Sequence, residues 1–178
     1  MVNSGKTKGL EMDKIPNLKH YRKVGKIKEE LDLALNLLDL QPLRAKLAEK
    51  YPGDPRLLEL IEIRYRRFLY LVATTGEELV PSEDIDELWH IHILDTIKYR
   101  NDCQNIFGFF LDHFPYFGLQ GDREDWKKAH RRTIELYVGV FGEEYSFHNA
   151  LRDHLSKSRQ SDPRNPEFVL YQEARSCG

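Results

Sequence analysis

Residues 54–76, DPRLLELIEIRYRRFLYLVATTG, decide the fold. Asp54-Pro55 is a helix start signal: a carboxylate able to cap free N–H groups, then a proline at the first helical position, where its missing N–H costs nothing. From there Leu58, Ile61, Tyr65, Phe68 and Val72 recur at three- and four-residue steps, which keeps them on one stripe of an α-helix. The pattern ends near Gly76 and is the longest clean apolar stripe of the chain, so it predicts a central helix against which the rest must pack.

Toward the N-terminus, Leu31, Ala34, Leu35 and Leu38 form a shorter stripe beginning near Ile27. Asp39 is placed to cap a helix through Leu43 and Leu47, which Tyr51-Pro52-Gly53 stops. Toward the C-terminus, Ser82 is a good N-cap, and Glu83, Asp84, Asp86 and Glu87 put negative charge where the helix dipole favours it, so a helix is expected from Glu83. Asp95 either sits inside that helix or caps a new one through Ile106, and the sequence leaves both open. Asp112 to Gly118 reads as an aromatic loop, because it holds a proline and lacks alternation. A last helix is expected after Asp122, with Trp126, Ala129, Thr133, Leu136, Tyr137 and Val140 inward, ending at Gly142. No stretch alternates with period two. The expected fold class is therefore all-α, an irregular bundle of five or six helices. Residues 21–155 form one helical domain in this reading. Residues 1–20 are a flexible lead-in, and 156–178 are a polar, partly disordered tail in which Phe168 to Tyr171 is a short apolar piece.

Composition agrees with one ordinary domain. The 178 residues are 40% hydrophobic and 31% charged with a net charge of −2, enough apolar material for a core without disulfides. The balanced charge makes nucleic acid an unfavoured partner, since binding phosphate backbones rewards a basic excess. The basic clusters Lys19, Arg22, Lys23, Lys26, Lys28 and Lys127, Lys128, Arg131, Arg132 read as solvated helix faces balanced by nearby acids. Cys103 and Cys177 lie too far apart to make a disulfide framework, and Cys103 reads as a small buried hydrophobe. The N-terminal residues carry no apolar run, so neither a secretory signal nor a membrane span is expected and the expected address is cytoplasmic. The GKTKG there lacks the spacing of a phosphate loop.

Chemistry concentrates at Trp89-His90-Ile91-His92, preceded by Asp86-Glu87 and followed by Asp95, Tyr99, Asp102 and Cys103. Imidazole and carboxylate are the usual ligands of zinc and iron. Glu87 and His90 have the Glu-x-x-His spacing of di-iron bundles, but no second pair completes such a site. Residues two apart on a helix point about 200° away from each other, so His90 and His92 share one ion only where the backbone departs from α geometry. The competing structural account has His92 bonded to Asp95, His90 paired with Asp86, and Trp89 in the core with its N–H on a nearby acceptor. His113 lies in the aromatic loop. His130 falls on a solvated face, and His148 and His154 have no partner by sequence.

Val80-Pro81-Ser82-x-Asp84-Ile85-Asp86-x-x-Trp89-His90-x-His92-x-Leu94, with Tyr99, Asp102-Cys103 and Phe107-Gly108, resembles the signature of the glycine-rich domain-containing protein-like family over roughly Leu31 to Gly142. The His113 to Gly118 loop is similar to that of small bacterial members. The resemblance implies a helical region and carries no settled reaction with it. The resulting expectation is a binding or interaction module for an unknown protein or small molecule, with a pocket near Trp89, His90, His92, His113 and Tyr116. Its alternative is a mononuclear metal-dependent hydrolase or oxygenase. There His90, His92 and His113 would hold a zinc or iron ion, and Glu87 or Asp86 would serve as ligand or general base.

Overall fold

The computed structural model describes residues 24–52 and 55–152. The expected lead-in and tail lie outside these residues, as do the cap at Asp54, Cys177 and His154. Six helices follow one another: α1 (Lys28–Leu37), α2 (Gln41–Lys50), α3 (Pro55–Thr75), α4 (Glu83–Leu94), α5 (Thr96–Ile106) and α6 (Arg123–Phe141), with a short helical segment at 147–152. No strand occurs among the described residues, and the fold is all-α.

The 21-residue α3 is about 31 Å long at 1.5 Å per residue. Helices α1, α2, α4 and α6 all pack on it, while α5 lies against α1 and α4. That central position explains why α3 buries more than its stripe: Leu60, Leu69, Leu71 and Ala73 join Leu58, Ile61, Tyr65, Phe68 and Val72 in the core. Leu31, Leu35, Leu38, Leu43 and Leu47 complete it from α1 and α2.

Asp95 resolves the open question of the sequence. The backbone breaks there: Asp95 ends α4, and its carboxylate accepts the Lys98 N–H at 3.3 Å to start α5. The other capping expectations are redistributed. Asp39 accepts the Gln41 N–H at 3.0 Å. Ser82 stands at the N-cap of α4, but its hydroxyl donates to Asp84 Oδ1 at 2.7 Å instead of accepting from the helix. Asp122 turns back to accept from the Gly118 and Gln120 N–H groups at 2.9 and 3.1 Å, so it shapes the loop before α6. Val140 is 51% exposed, not inward, because the buried face of α6 narrows to Thr133 and Tyr137. Gly142 ends α6 with φ of +66°, a left-handed conformation favouring glycine, and its N–H donates to the Val138 carbonyl at 2.9 Å.

One ion pair is sealed in the core. Arg64 on α3 donates to Asp84 at 2.6 and 3.3 Å, and its remaining donors reach Ser82 Oγ and the carbonyls of Glu144 and Tyr145. The rings of Tyr137, Tyr145 and Phe147 surround the guanidinium. This network fixes the start of α4 against α3. On α6, Lys127 pairs with Glu124, Lys128 with Asp125 and Arg132 with Glu77, the balanced surface expected there.

Candidate functional site

Trp89 and His92 leave α4 toward the core and are tied down by α5. The buried Trp89 indole N–H donates to Tyr99 Oη at 2.9 Å, and the Tyr99 hydroxyl in turn donates to the Leu111 carbonyl at 2.5 Å. His92, also buried, contacts Asp102 Oδ2 through Nε2 at 2.9 Å and Tyr65 Oη through Nδ1 at 2.9 Å. A carboxylate oxygen accepts, so Nε2 carries the proton and Nδ1 receives the tyrosine O–H. Lys98 reaches the same Asp102 oxygen at 2.8 Å. Burial alone pushes the Asp102 carboxyl up, but the hydrogen bonds from His92 and Lys98 outweigh it and hold the group below its ordinary value. Burial pushes the Tyr65 hydroxyl well above its ordinary value and the Cys103 thiol up as well.

The opposite side of α4 carries a different group. Asp86 and His90, four residues apart, share a face, and His90 Nδ1 lies 3.3 Å from Asp86 Oδ2. The loop after α5 brings His113 back, with Nε2 3.0 Å from Asp86 Oδ1. One ligand atom from each of the three lies within 4.8 Å of the others. The His113 ring meets Trp89 edge-on at 4.7 Å and His90 at 4.5 Å. Among the described residues, the side chains of these two histidines are the ones that meet the Asp86 carboxylate.

The group forms one wall of a cavity of about 410 Å³. Leu79, Val80 and Pro81 form a second wall, held by the Val80 N–H donating to Thr133 Oγ1 at 2.9 Å and by Tyr145 Oη donating to the Val80 carbonyl at 2.7 Å. Phe114, Pro115, Phe117 and Trp126 close the third, and Glu78 and Glu83 add carboxylates. Gly118 permits the close approach: its φ is +88°, and a β-carbon there would stand 3.0 Å from the Trp126 side chain.

The structure thus brings Trp89, His90 and His113 together and leaves three sequence candidates elsewhere. His92 faces away, with both ring nitrogens engaged by Tyr65 and Asp102, so it shares no ion with His90. Its acid partner is Asp102 and not Asp95, because the break at Asp95 folds α5 back beside α4. Glu87 points to α2, where it accepts from Tyr51 Oη at 2.6 Å and pairs with Lys50. Tyr116 is 54% exposed and packs on Phe114 outside the cavity. His130, expected in solvent, stacks on Trp126 at 5.0 Å and meets the Tyr145 ring. Asp86 was legible as the i,i+4 partner of His90, whereas Trp126 and the Leu79 to Pro81 wall depend on long-range packing.

No helix among the described residues is long and apolar enough to cross a membrane. Two proteins of Arabidopsis thaliana are similar to this chain. Glycine-rich domain-containing protein 2 is 32% identical over 122 residues, which are 64% of this chain and 15% of that protein. Glycine-rich domain-containing protein 1 is 24% identical over 119 residues, which are 64% of this chain and 14% of that protein. The chain therefore spans about a seventh of the length of these relatives. No solved structure matches it. A family model described as UCP032817-like matches residues 37–138, more than half of the chain and the whole stretch from Asp86 to His113. On that match the chain belongs to the UCP032817-like family, and it is similar to the glycine-rich domain-containing proteins.

Proposed function

We propose that this chain is a binding module whose site is the cavity between α4, the Leu79 to Pro81 wall and the aromatic loop. The observation that carries the reading is the distribution of chemistry around about 410 Å³ of space. Trp89, Phe114, Phe117 and Trp126 offer apolar walls, and Asp86, His90 and His113 cluster at one end. Cavities of this size with a few convergent polar groups suit a small molecule or one projecting side chain of a protein partner. The aromatic walls take the apolar body and the polar end fixes its orientation. None of the described lining residues is Lys or Arg, which disfavours nucleic acid as the occupant. We place the module in the cytoplasm, where the free thiol of Cys103 stays reduced.

The test uses the protein's own fluorophores. Both tryptophans of the sequence line the cavity, so an occupant alters their emission. A fragment panel with aromatic bodies and acidic, basic or neutral heads is titrated against the wild type and Phe117→Ala, followed by tryptophan emission and ligand-observed NMR. Binding by the wild type that Phe117→Ala weakens supports the reading. A panel in which no member binds the wild type better than the variant removes it.

A further inference from the structure

We infer that Asp86, His90 and His113 hold a divalent transition-metal ion, of which zinc best fits two imidazoles and a carboxylate, with the open coordination position facing the cavity. The inference deepens the cavity reading by naming what its polar end contains.

The geometry is close to what such an ion requires. Ligand atoms about 2.05 Å from a tetrahedral zinc stand about 3.3 Å from each other. The His90 and His113 rings contact different oxygens of Asp86, Oδ2 at 3.3 Å and Oδ1 at 3.0 Å, and one ligand atom from each of the three residues lies within 4.8 Å of the others. Each edge of that triangle therefore has to close by at most about 1.5 Å to reach the tetrahedral spacing. His90 supplies the freedom, because its side chain is 50% exposed, while His113 is held at 14%. Asp86 and His90 come from one face of a regular helix, and His113 is braced edge-on by Trp89, so the donors rest on ordered elements.

The electrostatics agree. Asp86 has no Lys or Arg partner among the described residues, and Glu83, one turn before it, lines the same space. Their field concentrates a dication in the cavity. Three protein ligands with a fourth position open to a cavity is the arrangement of a site that accepts an exogenous donor, in contrast to closed four-ligand structural sites. The module's ligand would then carry a metal-binding head such as a carboxylate or hydroxamate, with its apolar body against Phe114 and Phe117.

The experiment uses untagged full-length protein, stripped with a chelator and titrated with Co²⁺ alone, read by its visible absorption, and with Zn²⁺ alone by calorimetry. One equivalent is expected to bind with the intense visible bands of a tetrahedral cobalt site. Asp86→Asn and His90→Ala should each weaken binding by more than the roughly 10–100-fold that loss of an outer-shell partner costs. Both positions are solvent-accessible, so circular dichroism should show both variants folded. Phe117→Ala should keep the ion. Absence of a one-to-one Co²⁺ or Zn²⁺ complex in the wild type overturns the inference, as does folded His90→Ala binding as tightly as wild type. The cavity reading fails separately, through loss of fragment binding, because its readout needs no metal.

Discussion

The buried Arg64–Asp84 pair allows the most demanding test of this architecture. Both side chains are 1% exposed, and Arg64 spends its donors on Asp84, Ser82 and the carbonyls of Glu144 and Tyr145. Replacing Asp84 by alanine leaves a guanidinium in the core without its countercharge, a change that costs about 3–5 kcal/mol. For a chain of this size each kcal/mol moves Tm by about 2–4 °C, so the expected fall is roughly 6–20 °C. The double variant Arg64→Met, Asp84→Ala removes both charges but orphans the two carbonyls, at about 1–3 kcal/mol each. It should therefore be more stable than the sum of the single changes implies and still less stable than wild type. Urea denaturation followed by circular dichroism measures all four corners of the cycle, and a coupling of about 2 kcal/mol is expected, within the range for residues in direct contact. Additive single variants, or an Asp84→Ala cost below about 1 kcal/mol, would refute a sealed pair clamping the start of α4 to α3.

Other expectations follow from the same side chains. Tyr99→Phe strips the acceptor from the Trp89 indole and the donor from the Leu111 carbonyl, so it should cost about 2–4 kcal/mol in a denaturant melt. Asp102→Asn should cost about 1.5–3 kcal/mol near neutral pH. Because the folded carboxyl is depressed, that difference is present above the ordinary value of 3.8 and fades as the pH falls through the folded pKa, which melts at stepped acidic pH will show. The Tyr51 hydroxyl is pushed up to about 12, first by its hydrogen bond to Glu87 and then by burial; its contribution is full below pH 10 and lost toward 12, and Glu87→Gln should return the Tyr51 titration, followed by NMR of the labelled ring, toward 10. Gly118→Ala should cost about 1–2 kcal/mol from its left-handed backbone and the contact with Trp126, and should also shift tryptophan emission.

What the sequence disclosed and what it hid divide along one physical line. Periodicity is local, so the α3 stripe, the α6 start and the stops at Gly76 and Gly142 were readable from neighbours within one or two turns. The pairing of Asp86 with His90 was readable for the same reason, as an i,i+4 step on one helix. The partner of His92 was not, because the short-range candidate Asp95 is spent on capping α5, and that cap is what delivers Asp102. Arg64 carries a local signal of its own: it lies three residues after Ile61 and four before Phe68, inside the apolar stripe, where a charge has to find a buried partner. The stacking of His130 on Trp126 was within reach of the same i,i+4 rule, since both lie on α6. His113 reaches Asp86 across 27 residues, and no spacing rule encodes that meeting.

The break at Asp95 has a mechanical consequence. By doubling α5 back beside α4, it lets Tyr99 and Asp102 grip the indole and imidazole that project behind the helix, so the cavity's back is riveted to the core by buried polar bonds. Its front is a turn of aromatic residues and half-exposed rings. On the proposed binding reading, adjustment to occupants of different shape falls to the exposed His90 ring and the 114–118 turn, while α4 and the braced His113 stay fixed.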